Sequence, residues 1–223
     1  GPFVTSPASS LNLALNPANG RLITGQSVAT NGSDVTVNAS GMSDTKLTTL
    51  SSKIANIDSI TSLTITLAQS ATEIGNLLTK SVDALVTVTG MAHSGDAGDQ
   101  INAVAAGTAG IAANGIRGSV SVSTSLASEN LGAFLGKCSV LASPADSTVT
   151  VDATGMTASF DVLAANIAAV DTINNLSLTS AQSAATITAL LTKSVDAVAN
   201  ATSMNPARLT ALGGGASGLA ANG

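Results

Sequence analysis

The chain has no tryptophan, no tyrosine, three phenylalanines, one cysteine and one histidine among 223 residues. With aromatics at 1%, it offers no platform on which nucleobases stack, and any core has to be built from aliphatic side chains in thin layers. A lone cysteine excludes an internal disulfide. One histidine, without recurring paired acids, leaves no nucleophile, base and orienting group in view, so no catalytic residue is assigned and the chain reads as a non-enzyme. Charge is scarce at 9%, and thirteen acids against eight bases give a formal net charge of −5. That balance supplies no basic patch and argues against nucleic acid. No run approaches the roughly 18 apolar residues that span a bilayer. The small-residue stretch from Ile101 to Ala113 is broken by Gly107 and Gly110, so no membrane insertion is expected. Few charges and many Ser, Thr and Asn fit a disordered chain, but a mean hydropathy of +0.41 and regular aliphatic spacing point to a packed one.

What is present is repetition. Val149-Thr150-Val151-Asp152-Ala153-Thr154-Gly155-Met156 restates Val35-Thr36-Val37-Asn38-Ala39-Ser40-Gly41-Met42, an offset of 114 residues (149 against 35). Ala181-Gln182-Ser183-Ala184 through Ala197 restates Ala68-Gln69-Ser70-Ala71 through Ala84, an offset of 113 (181 against 68). Phe134-Leu135-Gly136-Lys137-Cys138 aligns with the segments ending at Ser81 and Ser194, so lysines recur at 80, 137 and 193. Two kinds of unit alternate. One opens on a Val-Thr-Val-like strand and a turn ending in Met; the other opens on Leu63-Thr64-Ile65-Thr66, Val120-Ser121-Val122-Ser123 or Leu176-Ser177-Leu178-Thr179. The approximate units are 35–62, 63–85, 86–119, 120–148, 149–175, 176–197 and 198–223. Residues 1–34 hold Gly1-Pro2, read as a tag scar, and a degenerate N-terminal repeat or cap around Leu11-Asn12-Leu13-Ala14-Leu15.

Within a unit the apolar period changes. In Leu63-Thr64-Ile65-Thr66-Leu67 every second side chain is aliphatic, as in a strand with one buried face. Ile74, Leu77, Leu78 and Val82 then fall at helical spacing behind Ser70 and Glu73, a capping-box pair that Ser183 and Thr186 do not repeat. Strand, turn, helix and strand again is a βα unit, which makes successive strands parallel with right-handed crossovers. The expected fold is therefore α/β: one continuous right-handed βα solenoid, leucine-rich-repeat-like, with a parallel sheet on one side, helices on the other and about eight repeat units. Leu219-Ala220-Ala221-Asn222-Gly223 matches Ile111 to Gly115, after which the earlier copy continues to a strand. The chain thus reads as a fragment of a longer array, with neighbouring repeats of its parent as partners and possible end-to-end self-association.

The phrases Val-Thr-Val-Asp-Ala-Thr-Gly-Met and Ala-Gln-Ser-Ala-Ala-Thr-Ile-Thr-Ala-Leu-Leu-Thr-Lys-Ser resemble the tandem βα repeats of very large bacterial cell-surface or secreted proteins, often grouped with adhesins. The similarity covers about residues 35 to 223. It implies an extracellular or cell-surface location and a structural or adhesive role, and it carries over no catalytic residue. The glycine-aspartate nonapeptide of calcium-binding β-rolls is absent.

Single residues add little chemistry. Asp96 and Asp99, near His93 on a glycine-rich loop, are oxygen donors of the kind calcium takes, but acids ahead of a helix at Ile101 serve its N-terminus equally well; no cofactor is assigned. Cys138 stands where other copies have serine, and Lys137 beside it is expected to lower its pKa slightly. Met42, Met91, Met156 and Met204 follow Gly41, Gly90, Gly155 and Ser203, a turn that calls for positive φ with a methionine plug behind it. Lys80, Lys137 and Lys193 fall near helix C-termini, where cations are favoured. The most suggestive surface is the outward sheet face, comprising Thr36, Asn38, Thr64, Thr66, Thr87, Thr89, Ser121, Ser123, Thr150, Asp152, Ser177 and Thr179. Strands about 4.8 Å apart turn these into two columns of hydroxyls, a face for glycans, a cell-surface ligand or ice. Threonine is also simply suited to exposed strands.

Overall fold

The structure is a computed structural model that describes residues 10–13, 34–92, 99–107, 109–111, 115–123, 126, 128–138, 147–215 and 217–219. Among these residues the fold is α/β, with ten strands and seven α-helices. The strands are β1 (Ser10–Leu13), β2 (Asp34–Asn38), β3 (Ser59–Thr61), β4 (Leu63–Ile65), β5 (Ala84–Thr87), β6 (Ile116–Val122), β7 (Ser147–Asp152), β8 (Thr172–Asn174), β9 (Leu176–Leu178) and β10 (Ala197–Ala199). The helices are α1 (Asp44–Ser52), α2 (Ala71–Lys80), α3 (Gln100–Ala106), α4 (Ser128–Cys138), α5 (Phe160–Ala165), α6 (Ala184–Lys193) and α7 (Pro206–Gly214). Every strand pair is parallel, and strands that neighbour in sequence neighbour in space, in the orders β1-β2-β3, β4-β5-β6-β7-β8 and β9-β10.

The three sheets are separated by two kinks of one kind. Between β3 and β4 stands Ser62 at φ +55°, and between β8 and β9 stands Asn175, also at φ +55°. Before each kink the chain pairs back to the preceding strand, and after it the chain pairs forward. Single bridges from Ile60 to Ser81 and from Ile173 to Ser194 carry the ladder across each kink. The expected unit boundaries at 62/63 and 175/176 therefore fall inside split strands that begin at Ser59 and Thr172. The aliphatic alternation marks only the second half of each.

Inside, alternate strand residues and one face of each helix build a single apolar cluster from Val37 to Leu212, in which Phe134 is the largest fully buried side chain. The turns after β2, β5, β7 and β10 share one geometry. Met42, Met91, Met156 and Met204 donate their N–H to the carbonyls of Ala39, Val88, Ala153 and Ala201. The third turn residues, Gly41, Gly90, Gly155 and Ser203, have φ of +71°, +76°, +70° and +63°, the left-handed step of a type II turn. The methionines behind them are buried or half-buried against the core, as their recurrence suggested. α2 begins with the expected capping box of Ser70 and Glu73. In α6, Ser183 still caps Thr186 N–H, but the Thr186 hydroxyl turns to Asp161 instead, at 2.8 Å. The three lysines lie in the last turns of α2, α4 and α6.

Candidate binding face

The face opposite the core is assembled by alternation. In β4 the sequence Leu63, Thr64, Ile65 reads buried, exposed, buried, and β9 repeats this with Leu176, Ser177 and Leu178. All twelve outward residues read from the sequence lie away from the core. Asn38, Thr64, Thr89, Ser121, Ser177 and Thr179 are exposed; Thr36, Thr66, Thr87, Ser123, Thr150 and Asp152 are half-buried.

The register does not align them into two columns. Thr64 pairs with Leu85, Thr87 with Arg117 and Ser177 with Val198, so an apolar or cationic side chain interrupts the hydroxyls at three places. The longest unbroken rank is Ser121, Thr150 and Thr172 across β6, β7 and β8. Pairing is a tertiary property: sequence alternation tells which face a residue takes, but not which residue stands beside it.

Five of the twelve shape turns. Asn38 Oδ1 accepts the Ser40 N–H at 2.9 Å, and Asp152 Oδ1 accepts the N–H and the hydroxyl of Thr154 at 3.0 and 2.6 Å. These are Asx turns, in which the side chain replaces a backbone acceptor. Asp152 also receives the Asn175 amide at 3.2 Å. The Thr154 bonds and this amide hold its carboxyl below the usual range. Thr66 and Thr179 Oγ1 accept the N–H of Ala68 and Ala181, each at 3.2 Å. Thr89 Oγ1 accepts the Ser119 N–H at 3.3 Å; a Cβ on Gly118, at φ +98°, would lie 2.4 Å from that oxygen, so only glycine fits there. Thr36, Thr64, Thr87, Ser121, Thr150 and Ser177 carry no side-chain hydrogen bond among the described residues.

Two buried glutamines were not singled out in the sequence. Gln69 and Gln182 accept the N–H of Thr66 and Thr179 through Oε1, each at 2.8 Å. Gln69 also donates to Asp44 Oδ1 at 2.9 Å, and the Gln182 carbonyl accepts Arg208 Nε at 2.7 Å, so each ties its rung to a neighbouring helix. Their signal was the repeated Ala-Gln-Ser. The carboxylates of Asp58 and Asp171 accept the N–H of Val35 and Val149 at 2.7 and 2.8 Å and fix the start of β2 and of the buried run in β7.

Asp99 is 3% exposed, and its Oδ1 caps α3 by accepting the N–H of Ile101 at 2.8 Å and of Asn102 at 3.3 Å. Its partner in the calcium reading, Asp96, and the neighbouring His93 lie outside the described residues. Among the described residues no three His, Cys, Asp or Glu side chains come together as metal ligands. Cys138 is buried, and burial pushes its thiol up to about 12. This reverses the shift expected from Lys137, because desolvation of the thiolate outweighs a partly exposed neighbouring cation. A polar hollow of about 300 Å³ brings together Ser128, Ser159, Asp161 and Gln182, with the two serine hydroxyls in contact. Among the described residues no imidazole or amine lines it. Among the described residues no helix is long and apolar enough to cross a membrane. No protein-family model, no curated protein and no solved structure matches the chain.

Proposed function

We propose that this chain is a structural repeat segment, a spacer or scaffold element of a very large bacterial surface or secreted protein, folded as a right-handed βα solenoid of eight rungs. The observation that carries the reading is the recurrence of whole devices, not only of residues. The strand-start carboxylates at 58 and 171, the kinks at 62 and 175, the glutamine turns at 69 and 182 and the bridges at 81 and 194 each recur at an offset of 113. A chain that restates its geometry in sequence order, with all strands parallel, extends by adding rungs. Its work is to set length and to present whatever it is joined to, on a cell surface or in adhesion, and it performs no catalysis.

The second reading is a binding module for glycans or for ice. The rank of Ser121, Thr150 and Thr172 and the uncommitted hydroxyls of Thr64 and Ser177 favour glycans. The breaks at Leu85, Arg117 and Val198 and the kinks at 62 and 175 disfavour ice, which needs a flat, regular array. A glycan array and a whole-cell binding assay test the choice, run beside a variant carrying Thr64→Lys, Thr150→Lys and Ser177→Lys. The spacer reading expects no saturable binding by either protein. Saturable binding that disappears in the variant would replace it with the binding module.

A further inference from the structure

Between the methionine turn and the helix that follows it, the later copy of the repeat is one residue shorter than the earlier one. Met42 and Leu50 stand eight positions apart (50 − 42), their counterparts Met156 and Leu163 seven (163 − 156). The loss falls where the chain enters α5. α1 has nine residues and α5 six, and Ser159, ahead of α5, is held at φ +72°, a left-handed conformation that a residue with a Cβ seldom takes. Counted from the methionines, Ala158 stands in the place of Asp44.

That exchange leaves a polar group unmet. In the earlier copy the Gln69 side-chain amide donates to the Asp44 carboxylate at 2.9 Å. Gln182 is set by the same turn, its N–H on the Thr179 carbonyl at 3.3 Å and its Oε1 on the Thr179 N–H at 2.8 Å, as Gln69 is on Thr66. Its amide nitrogen therefore points the same way, into the hollow of about 300 Å³ that it lines with Ser128, Ala158, Ser159 and Asp161. Gln182 is only 7% exposed, and among the described residues that nitrogen has no hydrogen-bond partner. A second exchange accompanies the first. The Gln69 carbonyl receives the neutral amide of Gln100 at 2.6 Å, whereas the Gln182 carbonyl receives the guanidinium of Arg208 at 2.7 Å. The copy that lost a carboxylate thus gained a cation beside the same glutamine. Asp161 contributes the opposite charge. One of its oxygens accepts the Thr186 hydroxyl at 2.8 Å, and the other is uncommitted among the described residues.

We propose that this hollow binds a small α-amino acid as its zwitterion, with the ligand carboxylate where Asp44 sits in the earlier copy. The carboxylate accepts the Gln182 amide N–H and is favoured by the charge of Arg208; the α-ammonium donates to the free oxygen of Asp161. The Ser128 and Ser159 hydroxyls, in contact with each other, lie beside it as further donors. A simple carboxylate meets Asp161 as a like charge, and a simple amine leaves the Gln182 amide unmet. The proposal does not rest on the spacer reading, which glycan and whole-cell binding test separately.

NMR of the isotope-labelled 223-residue chain, titrated with glycine and followed at the Gln182 side-chain amide and the backbone amides of Ser159 and Asp161, tests this. The expected result is a saturable shift at these groups, with acetate and methylammonium each binding roughly tenfold or more weakly. Gln182→Glu keeps the acceptor for Thr179 and removes the donor, so glycine binding should fall by roughly tenfold or more. Ala158→Asp supplies the carboxylate from within the chain and should displace glycine. Asp161→Asn keeps the acceptor for Thr186 and should erase the preference for glycine over acetate. Unchanged resonances elsewhere show that each variant is folded. A folded chain that gives no saturable shift with glycine overturns the proposal, as does acetate binding as tightly as glycine, or glycine binding indifferent to Gln182→Glu and Ala158→Asp.

Discussion

Residues 81, 138 and 194 occupy one slot at the end of a helix, filled by serine, cysteine and serine. The two serine hydroxyls are buried without a hydrogen-bond partner, and a buried hydroxyl without one costs about 1–3 kcal/mol. A thiol in the same slot gives up much less. Ser81→Cys should therefore stabilise the fold by about 1 kcal/mol, and Cys138→Ser should destabilise it by a similar amount, read as shifts in a urea midpoint. The same burial makes Cys138 a reporter. Its thiol titrates about 12 in the fold, above its ordinary value, so the unfolded chain loses that proton first as pH rises. The contribution to stability is complete below the ordinary thiol pKa and declines as pH climbs toward about 12. At neutral pH, thiol labelling should run at the rate of unfolding; fast labelling of the folded protein would show that the slot opens locally. At this scale the glycines before the methionines and the lysines of the last helical turns were legible, because both follow from local backbone geometry. Gln69 was not, since its role depends on Asp44, 25 residues earlier.

Each strand-start carboxylate replaces a ladder partner. Asp58 accepts the Val35 N–H, and its own N–H donates to the Val35 carbonyl, so one residue closes both backbone groups of a residue that is 2% exposed. Asp58→Ala leaves a buried donor unmet and should cost roughly 1–3 kcal/mol, whereas Asp58→Asn, which keeps an acceptor, should cost less. Equal losses in the two variants, measured by thermal unfolding, would mean that charge rather than the hydrogen bond fixes the strand. Period-two alternation placed β4 and β9, and the serine-to-glutamate spacing placed the start of α2. The split strands escaped notice because nothing local in Ser62 announces φ +55°, and the switch from backward to forward pairing belongs to the neighbours. The hydroxyl columns failed for a related reason. Thr64 faces outward as alternation requires, but Leu85 stands beside it.

The repeat offsets were legible from sequence because the same turn recurs after β2, β5, β7 and β10, while the shared registers of β1 with β6 and of β5 with β10 emerge only once strands are paired. That sequential pairing governs how the molecule answers force. Stacked as proposed, eight rungs at about 4.8 Å a step would span roughly 34 Å, yet 223 residues drawn straight reach about 750 Å. Within each sheet a strand pairs only with strands that neighbour it in sequence, so tension on the two ends should peel strands open in turn instead of shearing a sheet at once. Single-molecule pulling should show a train of low-force steps of roughly 95 Å each, about 28 residues apiece, in place of one large rupture. A single rupture would mean that the common core cluster locks the rungs together. If the chain serves as the proposed spacer, stepwise yielding would let it lengthen some twentyfold under load and recoil, limiting the peak tension passed to what it is joined to.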